Sequence, residues 1–265
     1  MFSVMVSIAA AGLFWFWLFL VVIQLAATLA GSLSGQRYAG DAPPRAEATG
    51  LVTGGIMALT AFVLALTLSF ASGRMAERRT GALQEANAIG TAWLQATALS
   101  DPRAAAIASM LETYATKRLD FASADHAAPE IETLSTDTNL LQAQIWAEMT
   151  ALLAASTTPH TVSLMNSLNN VFDMTTALRL SLSRGIPEPL VMLLVGMVLV
   201  SSGIAGFQLG LKRQRAPVLV AVLIMVWSLV IVIVLDLGAP RLGSARTVTD
   251  PYLWTISGFS GKPAT

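Results

Sequence analysis

The hydrophobic positions of this chain fall into four long uncharged runs, with two short loops and one long amphipathic insert between them. The first run, about Val4 to Ala30, carries no charged side chain. Gln24 is its main polar group, and Trp15 and Trp17 sit near its middle. The second run opens a helix predicted from Gly50 to Leu99, since no proline intervenes before Pro102. Its uncharged part, Gly50 to Ser72, holds about 23 residues, and ~1.5 Å per residue gives roughly 35 Å, enough to cross a bilayer. The third and fourth runs are about Pro189 to Leu211 and Pro217 to Leu237.

Between the second and third runs the pattern becomes helical and one-sided. Met75, Ala82, Ala86, Ile89, Trp93 and Ala96 mark one apolar stripe. Ile107, Leu111, Tyr114, Arg118 and Phe121 mark a second, on a helix of about Pro102 to Ala122. Leu134, Leu141, Ile145, Met149 and Leu152 follow on Pro129 to Ala155, then Leu164, Leu168, Val171, Leu178 and Leu182 on His160 to Arg184. Asp101–Pro102 reads as a cap followed by proline in the first turn. Four such helices with short links predict a bundle. The expected fold is therefore an all-α membrane protein with four transmembrane helices and an extramembrane four-helix bundle inserted between spans two and three. Residues 1–73 would hold spans one and two, 74–187 the bundle continuing from span two, 188–240 spans three and four, and 241–265 an irregular C-terminal tail.

Composition narrows the function classes. Of 265 residues 54% are hydrophobic and only 12% charged, against roughly a quarter charged in soluble domains. The formal net charge is zero and no basic domain stands out, which argues against a nucleic-acid partner. Absence of Cys removes disulfides, thiol catalysis and Cys-based metal sites. No G-x-S-x-G, His-Glu-x-x-His, phosphate-loop or G-x-G-x-x-G motif is present, so no enzyme and no cofactor is expected. The uncharged N-terminal segment lacks the basic region of a signal peptide and is read as a retained span.

One seam runs through the central helix. Thr53, Thr60, Thr67 and Arg74 recur at seven-residue intervals, flanked by Gly50, Met57, Leu64, Ala71, Arg78 and Glu85. The threonines could line a pore, with Arg74 and Arg78 drawing anions to its mouth. Equally, Thr and Gly pack helices closely in any bundle. Gly50 and Gly54, and Ser202, Gly206 and Gly210, are two close-packing faces. Four short spans can satisfy one internally and leave the other for neighbours, which predicts a homo-oligomer in a lipid bilayer.

Charged residues inside apolar surroundings are the remaining candidates. Glu85 would form a structural ion pair with Arg118, Arg179 or an arginine of a neighbouring subunit. Asp173 is similar, and Asp236, at the end of span four, can reach headgroups or Arg241. The acidic loop around Asp120, Asp125, His126, Glu130 and Glu132 lacks EF-hand spacing, and His126 and His160 are isolated, so no metal site is expected. The short loops carry Arg37, Arg45, Lys212, Arg213 and Arg215, placing them in the cytoplasm and the bundle outside. Arg74, Arg78, Arg79, Arg184, Arg241 and Arg246 near the opposite span ends oppose that orientation. Lys212 to Arg215 is mainly a topology signal, with anionic-lipid contact as a lesser option.

The run Leu68-Ser69-Phe70, Arg74, Arg78-Arg79 and Glu85-Ala86-Asn87-Ala88-Ile89-Gly90-Thr91-Ala92-Trp93-Leu94 resembles that of bacterial membrane proteins with a bestrophin-like domain. Leu141-Gln142 with Trp146, Asn169 with Asp173 and Ile186-Pro187, and Asp236-Leu237 with Pro240-Arg241 extend the resemblance over about residues 50 to 250. It implies kinship with the bestrophins, pentameric anion channels whose second span lines the pore and whose helical bulk is cytoplasmic. No individual functional position is carried over from them. The expected function is an oligomeric, anion-conducting channel lined by span two. The rival is a non-conducting scaffold or sensor whose bundle binds a protein partner.

Overall fold

The computed structural model describes residues 12–39, 44–124, 128–183, 185–214, 216–239 and 249–260, with the backbone alone at 44–48 and 128–129. Its regular structure is helical throughout: α1 (Leu13–Tyr38), α2 (Pro44–Thr97), α3 (Pro102–Ser123), α4 (Ala128–Ala155), α5 (Pro159–Ser183), α6 (Glu188–Leu211), α7 (Pro217–Gly238) and α8 (Asp250–Phe259). The chain forms two compact units. One comprises Met1–Arg74 with Gly185–Ala245, the other Met75–Arg184 with Arg246–Thr265.

In the first unit α1, the opening half of α2, α6 and α7 are long and apolar enough to cross a membrane. The first span differs from its expected position. It starts after Gly12, which sits at φ 136°, and runs on to Tyr38. Residues 4–11 of the expected span lie outside the described residues. The helix continues through Gly31 and Gly35 because both are packing positions. A Cβ on Gly31 would collide with the Gly203 carbonyl, and one on Gly35 with that of Phe207. Reciprocally, Cβ atoms on Gly206 and Gly210 would strike the carbonyls of Thr28 and Ser32. Ser202, Gly206 and Gly210 thus pack against α1 of the same protomer, with backbone meeting backbone. With the start at Leu13, Trp15 and Trp17 fall in the opening turns of the span. There they cluster with Phe14 at 5.8 and 6.0 Å between ring centroids.

A polar clasp crosses this apolar core. Gln24, fully buried, donates from Nε2 to Ser228 Oγ at 2.7 Å and to the Leu20 carbonyl at 3.2 Å. Ser202 Oγ approaches its Oε1 at 3.4 Å. One side chain of α1 therefore satisfies its amide on α6 and α7 together.

The second unit packs the continuation of α2 with α3, α4, α5 and α8 around Ile89, Ile107, Leu111, Ile145, Met149 and Val171. Asp101 caps α3, accepting from Arg103 N at 2.8 Å, with Pro102 in the first turn. Thr158 and Thr161 cap α5 reciprocally, each hydroxyl accepting the other's backbone N–H at 3.2 and 2.8 Å. The tail departs from expectation. Residues 250–259, read as irregular, form α8, with Asp250 and Pro251 in its first turn.

Candidate functional site

The threonine seam of α2 lies inside its own protomer. Thr53, Thr60 and Thr67 are 4%, 1% and 2% exposed. Each hydroxyl bonds the carbonyl four residues back, at 2.7, 2.8 and 2.7 Å, and Thr60 Oγ1 also meets Ser201 Oγ of α6 at 2.7 Å. Hydroxyls so engaged, on side chains with no free surface, cannot line a shared lumen. The expectation of pore-lining threonines is corrected on that ground, and the packing alternative describes them. Arg74 is half-buried, its guanidinium 5.1 Å from the centroid of the Phe70 ring. Arg78 is 2% exposed, so it is not a free charge at a mouth.

The face of α2 opposite the seam is open. Leu51, Gly54, Gly55, Ala58, Phe62, Ala65, Ser69, Ser72 and Gly73 are all exposed. Counted at about 100° per residue, they lie across the helix from Thr60. A Cβ built on Gly54 meets nothing within 4 Å, whereas one on Gly50 lies 3.0 Å from Gln208 Nε2. Of the two close-packing faces, one is filled within the protomer and the other is open at Gly54.

The second unit holds a buried ionic cluster. Arg118 donates from Nε to Glu85 Oε1 at 2.7 Å and from Nη2 to Oε2 at 3.3 Å. Thr175 Oγ1 donates to Oε1 at 2.5 Å, and the Tyr252 hydroxyl donates to Oε2. The carboxylate thus accepts four hydrogen bonds, two on each oxygen, which fills its capacity. Tyr114 extends the network at 2.7 Å from Thr175 Oγ1, and Gln142 Nε2 donates to the Tyr114 hydroxyl at 2.8 Å. Thr175 directs its one proton to Glu85, so Tyr114 must donate to Thr175. Every proton in the chain Gln142–Tyr114–Thr175 therefore points toward one ionised carboxylate. On its other side Arg118 stacks 4.5 Å from the centroid of Phe121.

Electrostatics follow from burial. Desolvation pushes the Tyr114 hydroxyl up to about 12; the Thr175 hydrogen bond opposes this and the charge of Glu85 reinforces it. Burial, then Glu85, pushes Tyr252 upward as well. Burial works against the Arg118 charge, but Glu85 more than offsets it and holds the guanidinium above its ordinary value. Glu85 is fully buried and Arg118 2% exposed, so neither can be reached by a substrate. The cluster is an internal ion pair locking α2, α3, α5 and α8.

The other charged candidates stand apart from it. Asp173 and Arg179 are both exposed on α5, and among the described residues neither makes an ion pair. Water already solvates them, so nothing compels pairing. Asp236 is half-buried near the end of α7, and Arg241 lies outside the described residues. Asp125 and His126 of the acidic loop also lie outside them, while Glu130 is exposed. Among the described residues no three acidic, His or Cys side chains gather as a metal site would require.

The sequence anticipated Arg118 as a partner of Glu85 but not the hydroxyls. Thr175 fills the one gap in the apolar stripe Leu164, Leu168, Val171, Leu178, Leu182, a polar residue at a core position. Tyr114 was placed on its stripe without a role. Tyr252 was hidden by the reading of the tail as irregular, although Asp250–Pro251 repeats the Asp-Pro signature that marks α3.

No protein-family model matches this sequence, and no curated protein does. Among solved structures the chain is similar to a bacterial bestrophin homologue from Klebsiella pneumoniae, with a TM-score of 0.65. The match spans 93% of this chain and 97% of that one at 15% sequence identity. The chain has a bestrophin-like fold.

Proposed function

We propose that this protein is a homo-oligomeric ion channel, anion-conducting, whose pore is lined by α2 on the face opposite its threonine seam. The observation that carries the reading is the fold shared with a bestrophin homologue over nearly the whole chain, because bestrophins line their pore with the second span. The surface of α2 supports it. The exposed side is mostly Gly, Ala and Ser through the membrane stretch, with Phe62 and, at its edge, Leu66 the large side chains near its middle. Copies of α2 around an axis would be narrowest there, at an apolar ring that gates by dewetting. The second unit is the extramembrane bundle of this channel. On the positive-inside rule it lies in the periplasm, with Arg37, Lys212 and Arg213 in the cytoplasm.

Reconstitution in liposomes under a chloride gradient tests the reading. Wild-type protein should pass chloride, and Phe62→Ser should raise the flux by hydrating the constriction at unchanged oligomeric state. Intact oligomer that passes no ion at any tested pH or voltage would refute the channel and leave the scaffold. Flux unaffected by Phe62→Ser would move the pore off this face.

A further inference from the structure

The turn that ends α6 is built at a conformational cost. Gln214 N donates to the Leu209 carbonyl at 3.1 Å and Arg213 N to that of Gly210 at 3.1 Å. This pair of bonds is the helix-terminating motif that calls for a left-handed residue at its penultimate position, usually glycine. Here that residue is Arg213, at φ 49°, the one described non-glycine residue with positive φ. L side chains rarely adopt this region, and strained backbone concentrates where a side chain has a task. What the strain achieves is a placement. Lys212 and Arg213 emerge, exposed, at the end of α6 that packs on the end of α1. Gly210 lies against Ser32 and Gln36 N, and the Phe207 ring is 6.2 Å from that of Tyr38. Arg37, also exposed, sits between Gln36 and Tyr38. Three exposed cations, from the end of α1 and the turn that closes α6, therefore lie at one end of this packed helix pair, beside an aromatic ring exposed by 69%.

Directly along α1 from that end, Leu33 and Leu29 are 58% and 56% exposed, and Val218 and Leu219 open α7 at 71% and 73%. Free phosphate would need the cations but not this apolar wall. A phospholipid needs both, the headgroup against the basic turn and the acyl chains along the leucines. We propose that Arg37, Lys212 and Arg213 form a binding site for the phosphate headgroup of an anionic phospholipid, with Leu29 and Leu33 receiving its chains.

Native mass spectrometry of the full-length protein in mild detergent, with phosphatidylglycerol or phosphatidylcholine added, tests the site. Wild type should retain phosphatidylglycerol in preference to phosphatidylcholine. The informative variant is Arg213→Gly, which supplies the residue the turn prefers. It should unfold at the same or a higher temperature while its preference for phosphatidylglycerol falls by about fivefold, the effect expected of one basic side chain near an anionic headgroup. Arg37→Gln/Lys212→Gln added to it should abolish the preference. Equal retention of the two lipids by wild type, or undiminished preference in Arg213→Gly, would overturn the proposal. Displacement of phosphatidylglycerol by millimolar inorganic phosphate would overturn it too, assigning the turn to a free anion. Should the triple variant fail to fold, Arg213→Gly alone decides.

Discussion

Replacing Glu85 by Gln changes little in shape and much in charge, which makes it the sharpest perturbation of the second unit. The carboxylate takes four donated hydrogen bonds, from Arg118 Nε and Nη2, Thr175 and Tyr252. Gln offers one acceptor oxygen, and its amide nitrogen must then face two donors. Thr175 can fall back on the Val171 carbonyl at 3.0 Å, but Arg118, 2% exposed, has no route to water. Stranding one partner of a buried ion pair costs about 3–5 kcal/mol. Removing both ends of the ion pair should cost far less, because apolar replacement of such a pair is often neutral. Glu85→Leu/Arg118→Met/Tyr252→Phe is the matching variant, with Tyr252 included so that its hydroxyl is not stranded in turn. Denaturant unfolding in mild detergent, followed by far-UV circular dichroism and tryptophan fluorescence, measures both. Glu85→Gln should lose most of the 3–5 kcal/mol and the triple variant should recover most of it. A loss below about 1 kcal/mol in Glu85→Gln, or a triple variant no better, would refute the cluster as a desolvated pair.

Tyr252→Phe alone removes one donor to a charged acceptor. It should cost about 1.5–3 kcal/mol and make the chain bond after α8 more sensitive to limited proteolysis; unchanged stability and cleavage would count against the docking role of α8. Because the fold holds the Tyr114 proton to about pH 12 against an ordinary value of 10.0, the unfolded chain ionises first and stability should fall as pH rises between those values. Tyr114→Phe should reduce the slope, and an unaltered slope in unfolding titrations would contradict the assignment. Gly206→Leu places side-chain atoms in the Thr28 carbonyl and should prevent assembly of the spans. Gly54→Leu, built into open space, should leave protomer stability unchanged and lower the oligomer mass seen by light scattering; the opposite ranking would reverse the inner and outer faces. Cysteines at Ala124 and Gln214, in a chain with no native Cys, should differ toward an impermeant maleimide in whole cells. Labelling at 124 and protection at 214 supports a periplasmic bundle, and the reverse turns the molecule over.

Periodicity carried most of the architecture. The central helix, the three amphipathic helices after it and the last two spans appear close to where apolar spacing placed them, because each has a one-sided or fully apolar pattern bounded by Pro or charge. Span one was misplaced because its glycines read as a loop. Gly31 and Gly35 become helical only when Gly203 and Phe207, far away in sequence, press against them. The same limit governs the site. Spacing put Thr53, Thr60 and Thr67 on one side of α2, but a period cannot say whether that side faces a lumen or a neighbouring helix of the same chain. Ser201 decides it. Glu85 was legible as a buried acid with Arg118 among its candidate partners, but its hydroxyl partners were not, since Tyr252 lies 167 positions along the chain.

The clasp at Gln24 also sets a schedule for synthesis. Ser202, on the helix it crosses to, follows it by 178 positions, and Ser228 by 204. At ~5–20 residues per second, α1 waits roughly 10–40 s in the membrane before α6 and α7 exist. Throughout that interval the amide of Gln24 and the small-residue edge from Thr28 to Gly35 have only lipid, the insertion machinery or another nascent chain to face. The first span must therefore be held or sheltered until α6 and α7 have been made. An expression host with limited insertase capacity should lose this protein at that stage, with α1 inserted and the remainder degraded.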